Sequence, residues 1–443
     1  MRVLILTPEF AGSGGGIMTF YRTLVPFYRS QGIDVSVIEG SASWAAEHSN
    51  PAEIEGVHVE VLERARLDAW YARFDQYAAL PLLRRHLAAA WAMWEQADFG
   101  RDFDVVEACD WGLLFVPPAI EASRPLVVQC HGSVGQISVH DPVEGEESCS
   151  ITLHLLERAC IGAAQHIQTL SRANAAFWSA ETGREVSAIP PAWIGRSLPD
   201  SHPSSGRGLV IGRVQRWKGP QILCEALKRL GDRAPMVDWV GRDTVWGAQQ
   251  SSSAAHLSAA YPEIWGRKVI QHPQVTSAEV AARQQAALFN LVPSTWDVFN
   301  FTAVEAMASG RPTIVSTGAG ASDLIEDGVN GFLFPSGDAE ALASVLDRIL
   351  TESAEKLTEI GRAAQETVRS ALNPEKIAKQ RIAAYRAAIH DFAQRPRVPL
   401  SGWLGDICRP AQSSSNEMAF LEGFPLRQIV KHAAQRTSRR IWR

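Results

Sequence analysis

A twice-repeated alternation constrains this chain more than any other feature. Short β-branched runs are separated by helical stretches, first over about residues 1–190 and again from about 208 onward. In the first series "RVLIL" leads through the glycine turn "GSGGG" into "IMTFYRTLVPFYRSQG", a helical pattern with Pro26 inside it, and then "DVSVIE". The runs "DVVEA", "PLVVQC", "HIQTL" and "EVSAI" continue that series. The second starts after the Pro/Ser-rich "LPDSHPSSGRG", which reads as a linker. It passes through "LVIGRV", the helix "GPQILCEALKRLG", "MVDWVG", "KVIQH", the helix "SAEVAARQQ", "ALFNLVPS", a helix from 301, "PTIVS" and "GFLF". Strands alternating with helices predict parallel, doubly wound sheets, and two series predict two Rossmann-like domains facing across a cleft. The boundaries expected are 1–200 and 207–373, then a helical extension over 374–394 crossing back to the first domain. Residues 395–443 read as an irregular segment and a basic amphipathic tail.

A length of 443 residues is more than one ordinary core requires. The net charge of −5 argues against a general nucleic-acid binder. Six cysteines occur with no CxxC pair, which suits reduced thiols better than a disulfide framework or a zinc site. "MRVLILTPEF" reads as a first strand and not as a signal peptide. "AALPLLRRHLAAAWAMW" is interrupted by Pro81, Arg84 and Arg85, so no transmembrane helix is expected and the protein reads as cytoplasmic.

In open α/β sheets ligands bind beyond the carboxyl ends of the strands, and the chemically suggestive residues lie there. The "GSGGG" turn, including Gly15 and Gly16, precedes a helix and offers amides to a phosphate; read for structure alone it is a tight turn. In "GRVQRWKGPQ", Arg213 and Lys218 stand beside a helix N-terminus, where cations oppose the helix dipole unless an anion binds. Asp297 and Glu305 flank the helix start in "VPSTWDVFNFTAVEAMASG" and are placed to accept hydrogen bonds from hydroxyls. The plainer alternative makes Asp297 the N-cap and Glu305 a solvated helix residue. His131 follows the strand "PLVVQC", placed to meet a substrate hydroxyl or to serve as a turn histidine. Trp111 suits a sugar face or the core, and "EDGVNGFLF" carries hairpin signals.

In combination, "GRVQRWKG", "PSTWDVFNFTAVEAMASGRPTIVS" and "LIEDGVNGFLF" resemble the C-terminal domain of glycosyltransferase family 4, the retaining nucleotide-sugar transferases of the GT-B fold. "PEFAGSGGGIMTFYRTL", "DVVEACDW" and "VQCHG" resemble its first half more loosely. The resemblance implies that Arg213 and Lys218 bind the donor diphosphate and that Glu305 holds the ribose hydroxyls. Asp297 stands where the family's first glutamate touches the donor sugar. Backbone amides at Phe299, Asn300 and Phe301 approach sugar and phosphate, Gly15 and Gly16 close from the other domain, and His131 meets the far sugar hydroxyl. It further implies a hexosyltransferase that needs no metal or other cofactor and acts on a sugar, glycan or glycolipid acceptor in cell-surface polysaccharide or glycolipid assembly.

Three positions depart from the pattern: Asp297 is one methylene short, Asn300 replaces a glycine, and Asp323 stands where glutamate is common. Asn tolerates left-handed backbone, so the turn at 300 is expected to survive. The departures at 297 and 300 keep open a non-catalytic nucleotide-sugar-binding subunit with a degenerate site, and "GSGGG" keeps open a dinucleotide oxidoreductase. The tail "LRQIVKHAAQRTSRRIWR" carries six Lys/Arg and no acid. It reads either as solvated or as a helix lying on an anionic membrane at the inner face.

Overall fold

A computed structural model describes residues 1–12, 15–49, 51–141, 147–195, 205–246, 251–394, 400 and 402–411, with scattered positions beyond 425. Most of the basic tail, Ser13 and Gly14 of the glycine turn, and most of the interdomain linker lie outside the described residues.

The first half begins β1 (Arg2–Thr7), α1 (Gly16–Ser30), β2 (Asp34–Glu39), β3 (Ala52–Ile54), β4 (Val57–Val61), α2 (Arg64–Arg73) and α3 (Pro81–Gln96). It continues with β5 (Val105–Cys109), α4 (Val116–Glu121), β6 (Leu126–Cys130), α5 (Val134–His140), α6 (Glu147–Gly162), β7 (His166–Thr169), α7 (Arg172–Thr182) and β8 (Ser187–Ala188). The eight strands form one sheet, in the order β3-β4-β2-β1-β5-β6-β7-β8. Every pairing is parallel except the β3–β4 edge. Val3 to Leu6 of β1 are fully buried, because helices cover both faces of a parallel sheet.

The second half runs β9 (Gly208–Ile211), α8 (Pro220–Leu230), β10 (Val237–Val240), a small hairpin of β11 (Val245–Trp246) and β12 (Ser251–Ser252), then α9 (Ser253–Ala260). β13 (Val269–His272), α10 (Ser277–Ala286), β14 (Phe289–Val292), α11 (Phe301–Ala308), β15 (Thr313–Ser316) and β16 (Phe332–Phe334) follow. Its sheet has the order β13-β10-β9-β14-β15-β16 and is parallel throughout. The turn "EDGVNG" therefore feeds a parallel strand and not a hairpin.

Helices α12 (Ala339–Thr351), α13 (Ala354–Ala371) and α14 (Pro374–Gln394) complete the second half. α14 packs against α1, β5, β6 and β7 of the first sheet, burying Ile377, Ile382 and Tyr385. Its Arg381 is wholly buried and paired with Glu107 of β5 at 3.1 Å. One apolar cluster consequently runs from β1 and α1 through Val298, Phe299 and Ala303 to α14.

The expectation of an irregular segment after 395 is corrected over residues 402–411. There α15 (Gly402–Ile407) docks on the first half, burying Leu404, Ile407 and Cys408. Three side chains hold its backbone: Tyr77 donates to the Ile407 carbonyl, Trp91 to that of Cys408 at 2.7 Å, and Gln76 to that of Arg409 at 2.8 Å. Among the described residues no helix is long and apolar enough to cross a membrane.

Candidate functional site

The loop from β14 to α11 is clamped between two other strand-end loops. The Thr295 amide donates to the Trp217 carbonyl at 2.8 Å, and Asp297 exchanges backbone bonds with Gly318 and Gly320. Gly219 sits at φ +76°, and a Cβ there would lie 1.9 Å from the Pro293 carbonyl oxygen, so only glycine lets these loops meet.

At the end of this loop Asn300 adopts φ +84°, the left-handed side that its sequence position requires. Asn300, not Asp297, is the N-cap of α11: its Oδ1 accepts the Ala303 amide at 3.1 Å. Its Nδ2 donates to Asp297 Oδ2 at 2.8 Å. The same oxygen receives Lys218 Nζ at 2.5 Å. Lys218 is thus not an isolated cation beside a helix but one side of an ion pair. Arg213 completes the cluster. Burial and then Arg242 lower its pKa from the ordinary guanidinium value, while the charges of Asp297 and Asp141 oppose that shift. Among the described residues the amides of Phe301 and Thr302 find no acceptor, so the N-terminus of α11 is open toward this charge cluster.

The facing loops of the first half close on the same place. A Cβ at Gly16 would lie 3.6 Å from the Phe301 ring, and one at Gly132 3.3 Å from Val298. Gln215 donates to Asp141 at 2.6 Å. His140 stacks on Trp296 with ring centres 4.4 Å apart, and Trp296 stacks on Trp217 at 5.0 Å, so an aromatic ladder spans the cleft. Arg172 pairs with Asp323 at 3.1 Å, which gives that departure an interdomain partner.

Gly15 caps α1 in an extended conformation, and a Cβ there would fall 2.0 Å from Glu9 Oε1. That carboxylate already accepts the Met18 amide at 3.3 Å, so an acid of the chain itself occupies the N-terminus of α1. Burial raises the Glu9 pKa, bonds from the Met18 and Ile17 amides lower it, and Glu39 adds to the rise. Nothing in the sequence pairs Glu9 with this turn except its place at the end of β1.

The His131 ring meets Phe20 and Tyr21 edge-on, at 4.7 and 5.7 Å, and its Nε2 is buried without a partner among the described residues. Burial, reinforced by Arg381, pushes its pKa down to about 3, so the imidazole is neutral. Buried Asp110 accepts the His131 and Gly132 amides at 2.8 and 3.0 Å and fixes their turn, with burial raising its own pKa to about 7. Glu305, in the second turn of α11, lies apart from the Lys218–Asp297 pair, in a narrow groove between α10 and α11 that Trp193 also lines. Phe299 is buried, and its carbonyl receives the Ala321 amide at 2.7 Å.

Residues 206–352 match the family model described as Glycosyl transferases group 1. The chain is 30% identical over 229 residues to a D-inositol 3-phosphate glycosyltransferase of Arthrobacter sp. (strain FB24), covering 50% of this chain and about half (52%) of that protein. A D-inositol 3-phosphate glycosyltransferase of Thermobifida fusca (strain YX) is 26% identical over 417 residues, 86% of this chain and 90% of the relative. Among solved structures, sucrose-phosphate synthase from Thermosynechococcus elongatus superposes with a TM-score of 0.68 at 20% identity, covering 89% of this chain and all of the other. That likeness establishes the shared two-domain GT-B architecture.

Proposed function

We propose that the chain, whose residues 206–352 match the group 1 glycosyl transferases, moves a sugar from a nucleoside diphosphate sugar to an acceptor hydroxyl with retention at the anomeric carbon. One convergence carries this reading. Lys218, Asp297 and Asn300 are joined at the open N-terminus of α11, directly across the cleft from Gly16. An open helix N-terminus flanked by Arg213 and Lys218 is built for a diphosphate. Asp297 lies beside it, where a sugar hydroxyl donating to its carboxylate would orient the donor, and Glu305 takes the ribose from the α10–α11 groove. His131, neutral and with an unpartnered Nε2, suits a hydroxyl better than a charged group.

In the reaction the bond from the anomeric carbon to the diphosphate oxygen breaks, and the acceptor oxygen bonds to that carbon on the same face. The acceptor proton passes to the departing phosphate. Arg213, Lys218 and the α11 amides stabilise the charge that develops there, in a cleft that Trp296 and Trp217 help to keep dry. These side chains supply the charge compensation, so the proposed reaction requires no metal. The retained turn at Asn300 supports a working site over a degenerate one.

The relatives' names point to an inositol phosphate acceptor in those proteins; here the acceptor is proposed only as a hydroxylated sugar, glycan or glycolipid of cell-surface assembly. A cytoplasmic protein resting on an anionic membrane through its tail would suit a lipid-linked one. Vesicle sedimentation of the full chain against one ending near Pro425 tests the tail, and equal partitioning on anionic vesicles at low salt would dismiss it. For the reaction, the full-length protein is incubated with UDP-, GDP- and ADP-sugars and acceptor candidates, with chelator present. One donor should release its nucleoside diphosphate and give a product of unchanged anomeric configuration by NMR. Inverted product, or activity abolished by chelator, would contradict the proposal.

A further inference from the structure

On the first-half side of the glycine turn an open cavity of about 380 Å³ lies at the carboxyl ends of β1 and β2. Glu9, Ile17, Glu39, Ser41, Trp44 and Trp111 line it. Resting on the transferase reading above, we infer that this cavity is the acceptor subsite and that it selects a saccharide without phosphate, neutral or amino-bearing.

Position comes first. Glu9 both lines the cavity and sits against Gly15, while the neighbouring Gly16 faces the Phe301 ring. The cavity and the N-terminus of α11 therefore lie on either side of Gly15 and Gly16, so an acceptor seated in the cavity reaches past these two residues toward the donor. The volume falls within the range of about 300–1,000 Å³ usual for small-molecule sites.

The lining then sets the chemistry. Trp44 is 43% exposed, although it is a large apolar side chain, and Trp111 is half-buried on the same cavity. Indole faces are the surfaces on which the apolar face of a sugar ring packs. Glu9, Glu39 and Ser41 supply oxygens to accept hydrogen bonds from hydroxyl or ammonium groups. Glu39 is almost wholly buried and held by the Phe10 and Ala11 amides at 2.6 and 2.9 Å, so its carboxylate cannot swing away from an approaching ligand. Its other oxygen, Oε1, is buried without a partner among the described residues.

No lysine or arginine is among the described lining residues. The N-terminus of α1, a local feature that would attract an anion, is occupied by Glu9. A phosphorylated acceptor would thus place its charge beside two carboxylates, with nothing to offset the repulsion.

Saturation-transfer NMR on the full chain with saturating nucleoside diphosphate reads this out directly. The probes are D-glucose, D-glucosamine and myo-inositol against glucose 6-phosphate and inositol 3-phosphate. At least one phosphate-free probe should bind, with affinity falling at least tenfold in Trp44→Ala, whereas the phosphorylated probes should bind only after Glu9→Gln. The inference is overturned if phosphorylated probes bind the unaltered protein as well as their parents do. It is also overturned if Trp44→Ala binds unchanged, or if no probe binds at millimolar concentration. Nucleoside diphosphate affinity, measured on the same samples, separates the two readings. Its absence would sink the transferase assignment, and its presence beside any of those three outcomes would sink only the acceptor subsite.

Discussion

Asp297 holds Lys218: the carboxylate Oδ2 lies 2.5 Å from Nζ and also receives Asn300 Nδ2 at 2.8 Å. The pair changes how each residue should respond to substitution. A diphosphate arriving at Lys218 must share the ammonium with Asp297, and its own charge is repelled by that carboxylate. Asp297→Ala should therefore tighten binding of the free nucleoside diphosphate several-fold while depressing sugar transfer, because the donor sugar loses its acceptor group. Calorimetric titration beside a transfer assay checks both halves. Weaker diphosphate binding, or undiminished transfer, would show that Asp297 does not stand between the two.

Two buried groups at the carboxyl ends of β5 and β6 should give opposite pH dependences. Folded His131 stays neutral down to about pH 3, whereas the unfolded chain takes up the proton near 6.5. Stability present above pH 6.5 is lost through this residue as the pH falls toward 3. Asp110 works the other way. With its pKa raised from 3.8 to about 7, the folded chain keeps a proton that the unfolded chain has released, so stability is lost as the pH rises through that interval. Each slope is at most about 1.4 kcal/mol per pH unit, and the two largely cancel in the unaltered protein. Denaturant titrations across the window should show His131→Phe gaining on acidification relative to the parent and Asp110→Asn losing more steeply. Two variants that track the parent at every pH would refute the neutral, buried state of both groups.

The seam between α14 and β5 rests on a charge pair with no access to water. Arg381 donates to both oxygens of Glu107 at 3.1 Å and to the Tyr28 hydroxyl at 2.7 Å, while Tyr385 donates to Glu107 at 2.6 Å. Removing one partner strands the other charge, at about 3–5 kcal/mol. Arg381→Met should show that loss in chemical denaturation, and pairing it with Glu107→Leu should recover most of it. A single substitution costing no more than a surface change would mean that the pair does not anchor the helix.

The parallel sheets were legible because strands covered on both faces are predominantly apolar, as in β1 and, around a single polar residue each (Glu107, Gln129), in β5 and β6. The edge strands β3 and β4 were not. "AEI" and "VHVEV" are short, and Glu53, His58 and Glu60 break up their apolar residues, so they resemble loop. "EVSAI" overstated β8, of which only Ser187–Ala188 pair. At the site, the tolerance of Asn for left-handed backbone could be read from its residue type, and Asn300 adopts that geometry. The Lys218–Asp297 bond spans 79 positions, so no local pattern announces it. Glu9 was missed because its partners are backbone amides of α1, which carry no residue signature. The docking of Cys408 depends on a pocket assembled from α3 and the turn before it, far away in sequence.

The separation of Glu305 from the Lys218–Asp297 pair makes a further distinction testable. If Glu305 binds the ribose from the α10–α11 groove, as proposed, it serves the nucleoside and not the sugar. Glu305→Ala should weaken intact donor and free nucleoside diphosphate by the same factor in competition titrations. A loss confined to the intact donor would place Glu305 on the sugar instead.

The most direct test of the central claim is calorimetric titration of the matching nucleoside diphosphate into the parent protein and into Lys218→Ala. Hydrogen bonds to charged groups contribute about 1.5–3 kcal/mol, so the substitution should weaken binding at least tenfold while thermal unfolding without ligand moves little. Equal affinity in the two folded proteins would contradict the assignment of the diphosphate to the N-terminus of α11.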